Sequence, residues 1–248
     1  MTIHHRLAGL VFALTTLMAL GACATGPSLT PEQMQAVRAG EQSAIIMSYR
    51  EYAGMYGAYI RFVNVDTGLQ YQVEMHGGMN VVNAGPDMVA VPPGRYRVAG
   101  GSLYTADSTG TMPLLDHWFA PFDVAAGEVV DVGTLRIDDI SVRALPGMGE
   151  RVLNAMLTFN PARSDRYLVY SVDYSDAERV EKMLASKYPG LGVTPVRRPL
   201  AVRLDRAAFE SVIVDAYALN PDGSPPTVEQ AGARVATGLA RFLRDADR

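Results

Sequence analysis

Residues 69–75 (LQYQVEM) alternate apolar and polar side chains without a break: Leu69, Tyr71, Val73 and Met75 fall on one side, Gln70, Gln72 and Glu74 on the other. A period of two is what a strand with one buried face requires, and a helix cannot sort these residues that way. Asp66-Thr67-Gly68 precedes the run, and before it Tyr59–Val65 is rich in aromatic and β-branched residues. Two such runs joined by three residues ending in Gly predict a hairpin. Similar short runs recur at Ala44–Tyr49, Met88–Val91, Arg95–Val98 and Glu128–Ile137, the last preceded by Phe122-Asp123-Val124 and the turn Ala125-Ala126-Gly127. Within 95–98, Tyr96 and Val98 share one face and the two arginines the other. Pro92-Pro93-Gly94 predicts a tight turn, because Pro presets one dihedral and Gly accepts a positive φ. Short strands spaced by Gly/Pro turns predict an antiparallel β-sandwich over 44–140.

Residues 141–248 have a different texture. One strand is expected at Tyr167–Val172. Ser175-Asp176-Ala177-Glu178 reads as a capping box opening a helix, with Val180, Met183, Leu184 and Tyr188 on one face and Pro189-Gly190 ending it. Phe209–Tyr217 is apolar at both helical and strand spacings, which leaves its type open. Thr227–Gln230 is a second cap, followed by a stripe of Val228, Ala231, Val235, Leu239 and Phe242 along a final amphipathic helix. The expected fold class is therefore mainly β to α+β: a sandwich followed by a smaller α+β region (141–248). Ahead of the sandwich, Thr30-Pro31-Glu32-Gln33 predicts a short helix that Gly40 ends.

The segments VPPGRYRV (91–98) and FDVAAGEVVDVGTLRI (122–137) resemble those of bacterial lipoprotein domains of unknown function with a prealbumin-like or immunoglobulin-like sandwich. Carboxypeptidase regulatory-like domains share the style. In such domains Pro-Gly-x-Tyr makes a turn and drops the Tyr into the core, and a later strand ends in a Val/Leu-Gly-x-Leu run. The resemblance covers about 44–140 and implies a fold; it brings no catalytic residues.

The beginning of the chain carries the sharpest functional signal. Leu7–Leu20 is a run of 14 residues without a charge after a short polar start containing Arg6. A bilayer span needs about 20 apolar residues, so this length fits a secretory signal peptide. The run ends in Leu20-Gly21-Ala22-Cys23, and Cys23 is the only cysteine. The stretch resembles the lipobox of bacterial lipoproteins; the bland alternative is a buried structural cysteine in an N-terminal helix. The resemblance implies cleavage between Ala22 and Cys23, a diacylglycerol on the Cys23 thiol, and often a third acyl chain on its amine. Two or more chains anchor stably where one is marginal. Ala24, where an Asp would favour inner-membrane retention in enteric bacteria, implies the outer membrane facing the periplasm. The expected organisation is a signal peptide at 1–22, a lipidated Cys23 with tether and short helix at 23–43, the sandwich at 44–140, and the α+β region at 141–248.

Composition narrows the chemistry. A single Cys excludes an intramolecular disulfide framework and a cysteine-rich metal site. The 22 Lys+Arg against 26 Asp+Glu, a formal charge of −4, argue against a broad nucleic-acid-binding surface. The balance is uneven: residues 24–140 hold 6 basic and 13 acidic side chains, and 141–248 hold 15 and 13. That asymmetry predicts two regions that attract each other, or else a basic face turned to anionic envelope polymers. Arg197, Arg198, Arg203 and Arg206 form the densest cationic run, expected to be a solvated loop and strand edge.

No nucleophile elbow, phosphate-binding loop or dinucleotide fingerprint is present. After processing only His76 and His117 remain, without zinc-ligand spacing. His76 beside two glycines reads as a loop residue, and His117 as packing under a loop. Asp138-Asp139 near Asp131 weakly suggest a calcium site, since adjacent strand residues point to opposite faces. Asp116, Asp123 and Glu128 are candidate acid–base carboxylates that nothing in the spacing selects. Tyr49, Tyr52, Tyr56 and Tyr59 cluster around Gly54 and Gly57, suiting either core packing or stacking on a sugar or partner. The expectation is an outer-membrane-anchored lipoprotein with a non-catalytic binding or envelope-assembly role and no cofactor or metal. Its expected partners are the membrane through its lipid, another envelope protein, and peptidoglycan or lipopolysaccharide. The competing reading is an envelope hydrolase whose carboxylates meet in a cleft.

Overall fold

The computed structural model describes residues 29–50, 57–76, 83–104, 109–112, 115–141 and 166–246. Helix α1 (Pro31–Arg38) opens as expected: the Thr30 side chain accepts from Gln33 N–H, and the Gln33 side chain accepts in return from Thr30 N–H. The strands that follow are β1 (Ser43–Arg50), β2 (Gly57–Asn64), β3 (Gln70–His76), β4 (Asn83–Val91), β5 (Gly94–Tyr104) and β6 (Thr109–Thr111). The short helix α2 (Leu115–Trp118) leads to β7 (Phe122–Val124), β8 (Val129–Ser141) and β9 (Arg166–Asp173). Helix α3 (Ala177–Lys187), β10 (Val196–Arg197), α4 (Arg206–Ala216) and α5 (Val228–Ala246) complete the described chain.

The strands form two sheets. The first runs β10-β8-β1-β4, with β9 on the same side of β8 as β10; the second runs β3-β2-β5-β6, with β7 also paired to β5. The second sheet is antiparallel throughout. The first is mixed, because β8 pairs parallel with both β1 and β10. This corrects the all-antiparallel expectation, and the connectivity supplies the reason. The chain leaves the first sheet after β4, builds most of the second, and returns through the turn Ala125–Glu128 to lay β8 alongside β1 in the same direction.

Pro92-Pro93 marks the outward crossing, so β4 and β5 do not pair with each other. Gly94 has φ +153°, and the Tyr96 hydroxyl donates 2.6 Å back to Pro92 O, bracing the crossing. The β2–β3 hairpin is closed by Gly68 at φ +72° and by the Asn64 side chain, which accepts from Asp66 and Thr67 N–H at 3.0 Å each. Val73 and Met75 face inward as their spacing predicts, but Leu69 sits in the turn, 43% exposed.

Ile45, Met47, Ile60, Phe62, Tyr96 and Val130 pack in one core drawn from both sheets. The region after 141 contributes to it directly. Strand β9 pairs along Thr134–Ser141 of β8, and Phe209 and Ile213 of α4 and Val235 and Leu239 of α5 join the same cluster. Trp118 meets Tyr170 and Phe209 edge to face, at 5.2 and 5.1 Å between ring centroids. The segment of open type, Phe209–Tyr217, is thus mostly helix, capped by the Asp205 carboxylate accepting from Ala208 N–H at 2.7 Å.

A second apolar cluster covers the opposite face of the first sheet. Ala44, Ile46, Met88, Ala90 and Val129 lie there beneath residues of α1 and α3. The cap of α3 differs from the expected box: Asp176 is the N-cap, while Ser175 donates 2.8 Å to the buried Asp131 carboxylate. At the other end of α3, Tyr188 OH (2.8 Å) and Lys187 Nζ (3.2 Å) donate to the buried Asp87. The Arg38 guanidinium donates to Gly190 O, joining α1 to the end of α3.

Candidate functional site

Cys23, Ala22 and the rest of the predicted signal lie outside the described residues, as do Tyr52 and Tyr56. Description begins at Leu29, which is buried in the cluster under α1 and α3. The chain is therefore fixed to the domain six residues after Cys23. Among the described residues no helix is long and apolar enough to cross a membrane.

Most of the predicted chemical candidates are absorbed by structure. Asp131 accepts from Ser175 and from Gly133 N–H (3.0 Å) beside the register shift between β1 and β8, so it stabilises a bulge. Asp138 is exposed and Asp139 half-buried further along β8, and no group of three metal-ligating side chains gathers among the described residues. His117 is exposed on α2 and lies 3.5 Å from Asp116, rather than packed under a loop; Trp118 and Phe119 take the buried positions. His76 is the last residue of β3.

Of the carboxylates, Asp123 and Glu128 share a cavity of about 430 Å³ with Arg198 and Pro199. Burial pushes the Glu128 carboxyl up, but the Ala125 N–H and the Arg198 guanidinium outweigh it and hold it below its ordinary range. A general acid needs the opposite shift. Arg198 pairs with Glu128 at 2.8 Å and Arg206 with Glu210 at 2.8 Å, while Arg197 is exposed on β10. The Lys187–Asp87 and Arg198–Glu128 pairs join a cation from 141–248 to an anion from 24–140, and Arg136–Asp173 joins the two regions in the opposite sense. A larger groove of about 620 Å³ lies between α4 and α5. There Arg234 donates to Ala216 O and Ala218 O and to the Asn220 side chain, closing the C-terminus of α4.

The outer face of the second sheet is built differently. Its strand register sets Glu74, Tyr59 and Ser102 in one row and Gln72, Arg61 and Gly100 in the next. A Cβ on Gly57 would lie 2.2 Å from the Tyr104 hydroxyl. Only a glycine there lets the Tyr104 ring lie across β2, where its hydroxyl donates to Met75 O of β3 at 3.3 Å. Tyr104 also leans on Tyr59, with centroids 4.7 Å apart and planes at 36°. Gly100 has φ +132°, and its missing Cβ leaves room for the Arg61 guanidinium, 3.1 Å from where that carbon would be.

The result is a trough of about 300 Å³ lined by Tyr59, Arg61, Gln72, Gly101, Ser102 and Thr109. Burial first, and then Glu74, raises the pKa of both tyrosines, so their phenols stay neutral. Tyr59 was among the sequence candidates; Tyr104, Arg61 and Gln72 were not. The signal available was the Gly100-Gly101 pair inside a strand, which marks a close approach to the backbone.

No protein-family model matches the chain, and no curated protein matches it. Among solved structures, a leucine-rich repeat protein from Bacteroides thetaiotaomicron aligns at 12% identity and a TM-score of 0.26, over 38% of this chain and 13% of its own. An overlap that slight carries no argument.

Proposed function

We propose that the chain is a lipoprotein held by Cys23 in the outer membrane, facing the periplasm, and serving a non-catalytic binding or envelope-assembly role. The observation that carries this reading is Leu20-Gly21-Ala22-Cys23, at the end of a 14-residue uncharged run and containing the chain's only cysteine. From Cys23 to Leu29 the chain can span about 20 Å at most, so α1 and the cluster beneath it would stay close to the membrane. We further read the two sheets as a prealbumin-like or immunoglobulin-like sandwich, supported by the Tyr96 hydroxyl bonded back to Pro92 O at the crossing between sheets.

The test is Cys23→Ser in cells fed labelled palmitate. Wild type is expected to take up label and to sediment with outer membranes, while Cys23→Ser loses the label and is found uncleaved or in the soluble envelope fraction. Retained label and unchanged fractionation in the variant overturn the anchor.

A further inference from the structure

The outer face of the second sheet has the composition and shape of a sugar-binding platform, and we propose that its trough binds a pyranose ring of an envelope glycan. The inference rests on the binding reading above and names the ligand class. A pyranose presents a flat patch of C–H groups and a rim of hydroxyls. Tyr59 supplies an aromatic surface for the former, and it rests on Tyr104, which is held across Gly57 by its bond to Met75 O. The rim is met by groups that read hydroxyls: the planar Arg61 guanidinium and Gln72 amide, and the Ser102 and Thr109 hydroxyls, all lining the trough.

Size and charge point the same way. About 300 Å³ is at the small end of ligand pockets, enough for a sugar ring rather than a large cofactor. The lining carries one cation, Arg61, with the Glu74 carboxylate in the adjacent row, so the local field is near balance. That suits a neutral, hydroxyl-rich ligand over a polyphosphate. Gly57 and Gly100 leave the space that Tyr104 and Arg61 occupy, and the bond to Met75 O holds Tyr104 in place before any ligand arrives. Peptidoglycan and lipopolysaccharide both offer such rings, and the experiment separates them.

The full-length lipidated protein in detergent is titrated calorimetrically with a β-linked N-acetylglucosamine tetramer, then sedimented with purified peptidoglycan sacculi and, separately, mixed with purified lipopolysaccharide. Saturable binding to the tetramer is expected. Tyr59→Ala and Arg61→Ala should each weaken it about three- to tenfold. Tyr104→Phe keeps the ring but removes the hydroxyl that ties it to Met75 O, and should weaken binding less than Tyr59→Ala. Co-sedimentation with sacculi identifies peptidoglycan as the source, and association with lipopolysaccharide alone identifies the other. If Tyr59→Ala melts too early to titrate, Arg61→Ala decides alone, since its side chain is exposed. No saturable binding to any of the three probes, or binding unchanged by the substitutions, overturns the site. A wild type that labels with palmitate and still binds none of them leaves the Cys23 anchor standing and removes only the trough.

Discussion

The two sheets share one core but differ in what lies on their other faces. The first is covered on both sides: seven consecutive residues of β1, Ser43–Tyr49, are buried, with Ile45, Met47 and Tyr49 in the shared core and Ala44 and Ile46 beneath α1 and α3. The second is covered on one side. In β5, Tyr96 and Val98 are buried while Arg95 and Arg97 are exposed, and on β2 and β3 Arg61 is exposed and Tyr59 and Gln72 are half-buried. A sheet buried on both faces reads as a continuous apolar run, and one with a wet face alternates. The lesson is one of division of labour. The first sheet spends both faces on packing, and the second leaves one face without a packed layer among the described residues.

The contrast is broken or kept by a pair of substitutions. Ile46→Ala lies on the first sheet's non-core face, where a lone sandwich would have it in water. It is fully buried, so the change should cost about 2–5 kcal/mol of unfolding free energy. Arg61→Ala occupies the corresponding face of the second sheet and should shift stability by no more than about 0.5 kcal/mol. Urea denaturation of both variants checks the pair; equal effects would mean that the two outer faces are not different in kind.

A smaller effect sharpens the comparison at the α3 layer. Asp87 is 2% exposed and accepts from Tyr188 OH and Lys187 Nζ, so α3 is bonded as well as packed onto the first sheet. Asp87→Ala removes the acceptor from a buried hydroxyl and should cost about 1–3 kcal/mol. Tyr188→Phe on the same background should then cost little, because its hydroxyl has already lost this partner. Additive losses in a double-mutant cycle would show the bond to be idle.

Local signals in the sequence carried the second sheet further than the first. The alternation of 69–75, the Asp66-Thr67-Gly68 turn and the Tyr96/Val98 face correspond to β3, the hairpin and β5. The helix starts at Thr30 and Thr227 are legible because a cap is written within four residues, while the α3 cap falls at Asp176, one residue beyond the Ser175 that the box predicted. The parallel pairing of β1 with β8 was not legible: the partners lie some 80 residues apart, and no local pattern distinguishes a strand returning parallel from one returning antiparallel. Phe209–Tyr217 was ambiguous for the same reason, since its apolar residues meet both Trp118 and α5 and lose the one-sided stripe that marks a helix. The trough was half legible. Tyr59 was among the candidates and the Gly100-Gly101 pair was a signal left unread, while Tyr104 lying across Gly57 depends on register between strands almost 50 residues apart.

The edge of the first sheet offers the smallest and most pH-specific test. Arg198, just after β10, grips Glu128, which closes the turn carrying the chain back from the second sheet to the first. Because the folded-state carboxyl titrates below its ordinary value of 4.5, the folded protein holds this proton less tightly than the unfolded chain. The stabilisation is therefore complete above that ordinary value and is lost as pH falls through the lowered one. Glu128→Gln keeps an acceptor for the Ala125 N–H but removes the charge, and Arg198 is partly exposed, so the expected loss near neutral pH is about 0.5–1 kcal/mol. Melting temperatures of wild type and Glu128→Gln, compared from pH 7 down to pH 3, should converge at the acid end. A gap that stays constant would mean that the charge does not hold the crossing, and that the turn is set by its backbone and Gly127 at φ +70° alone.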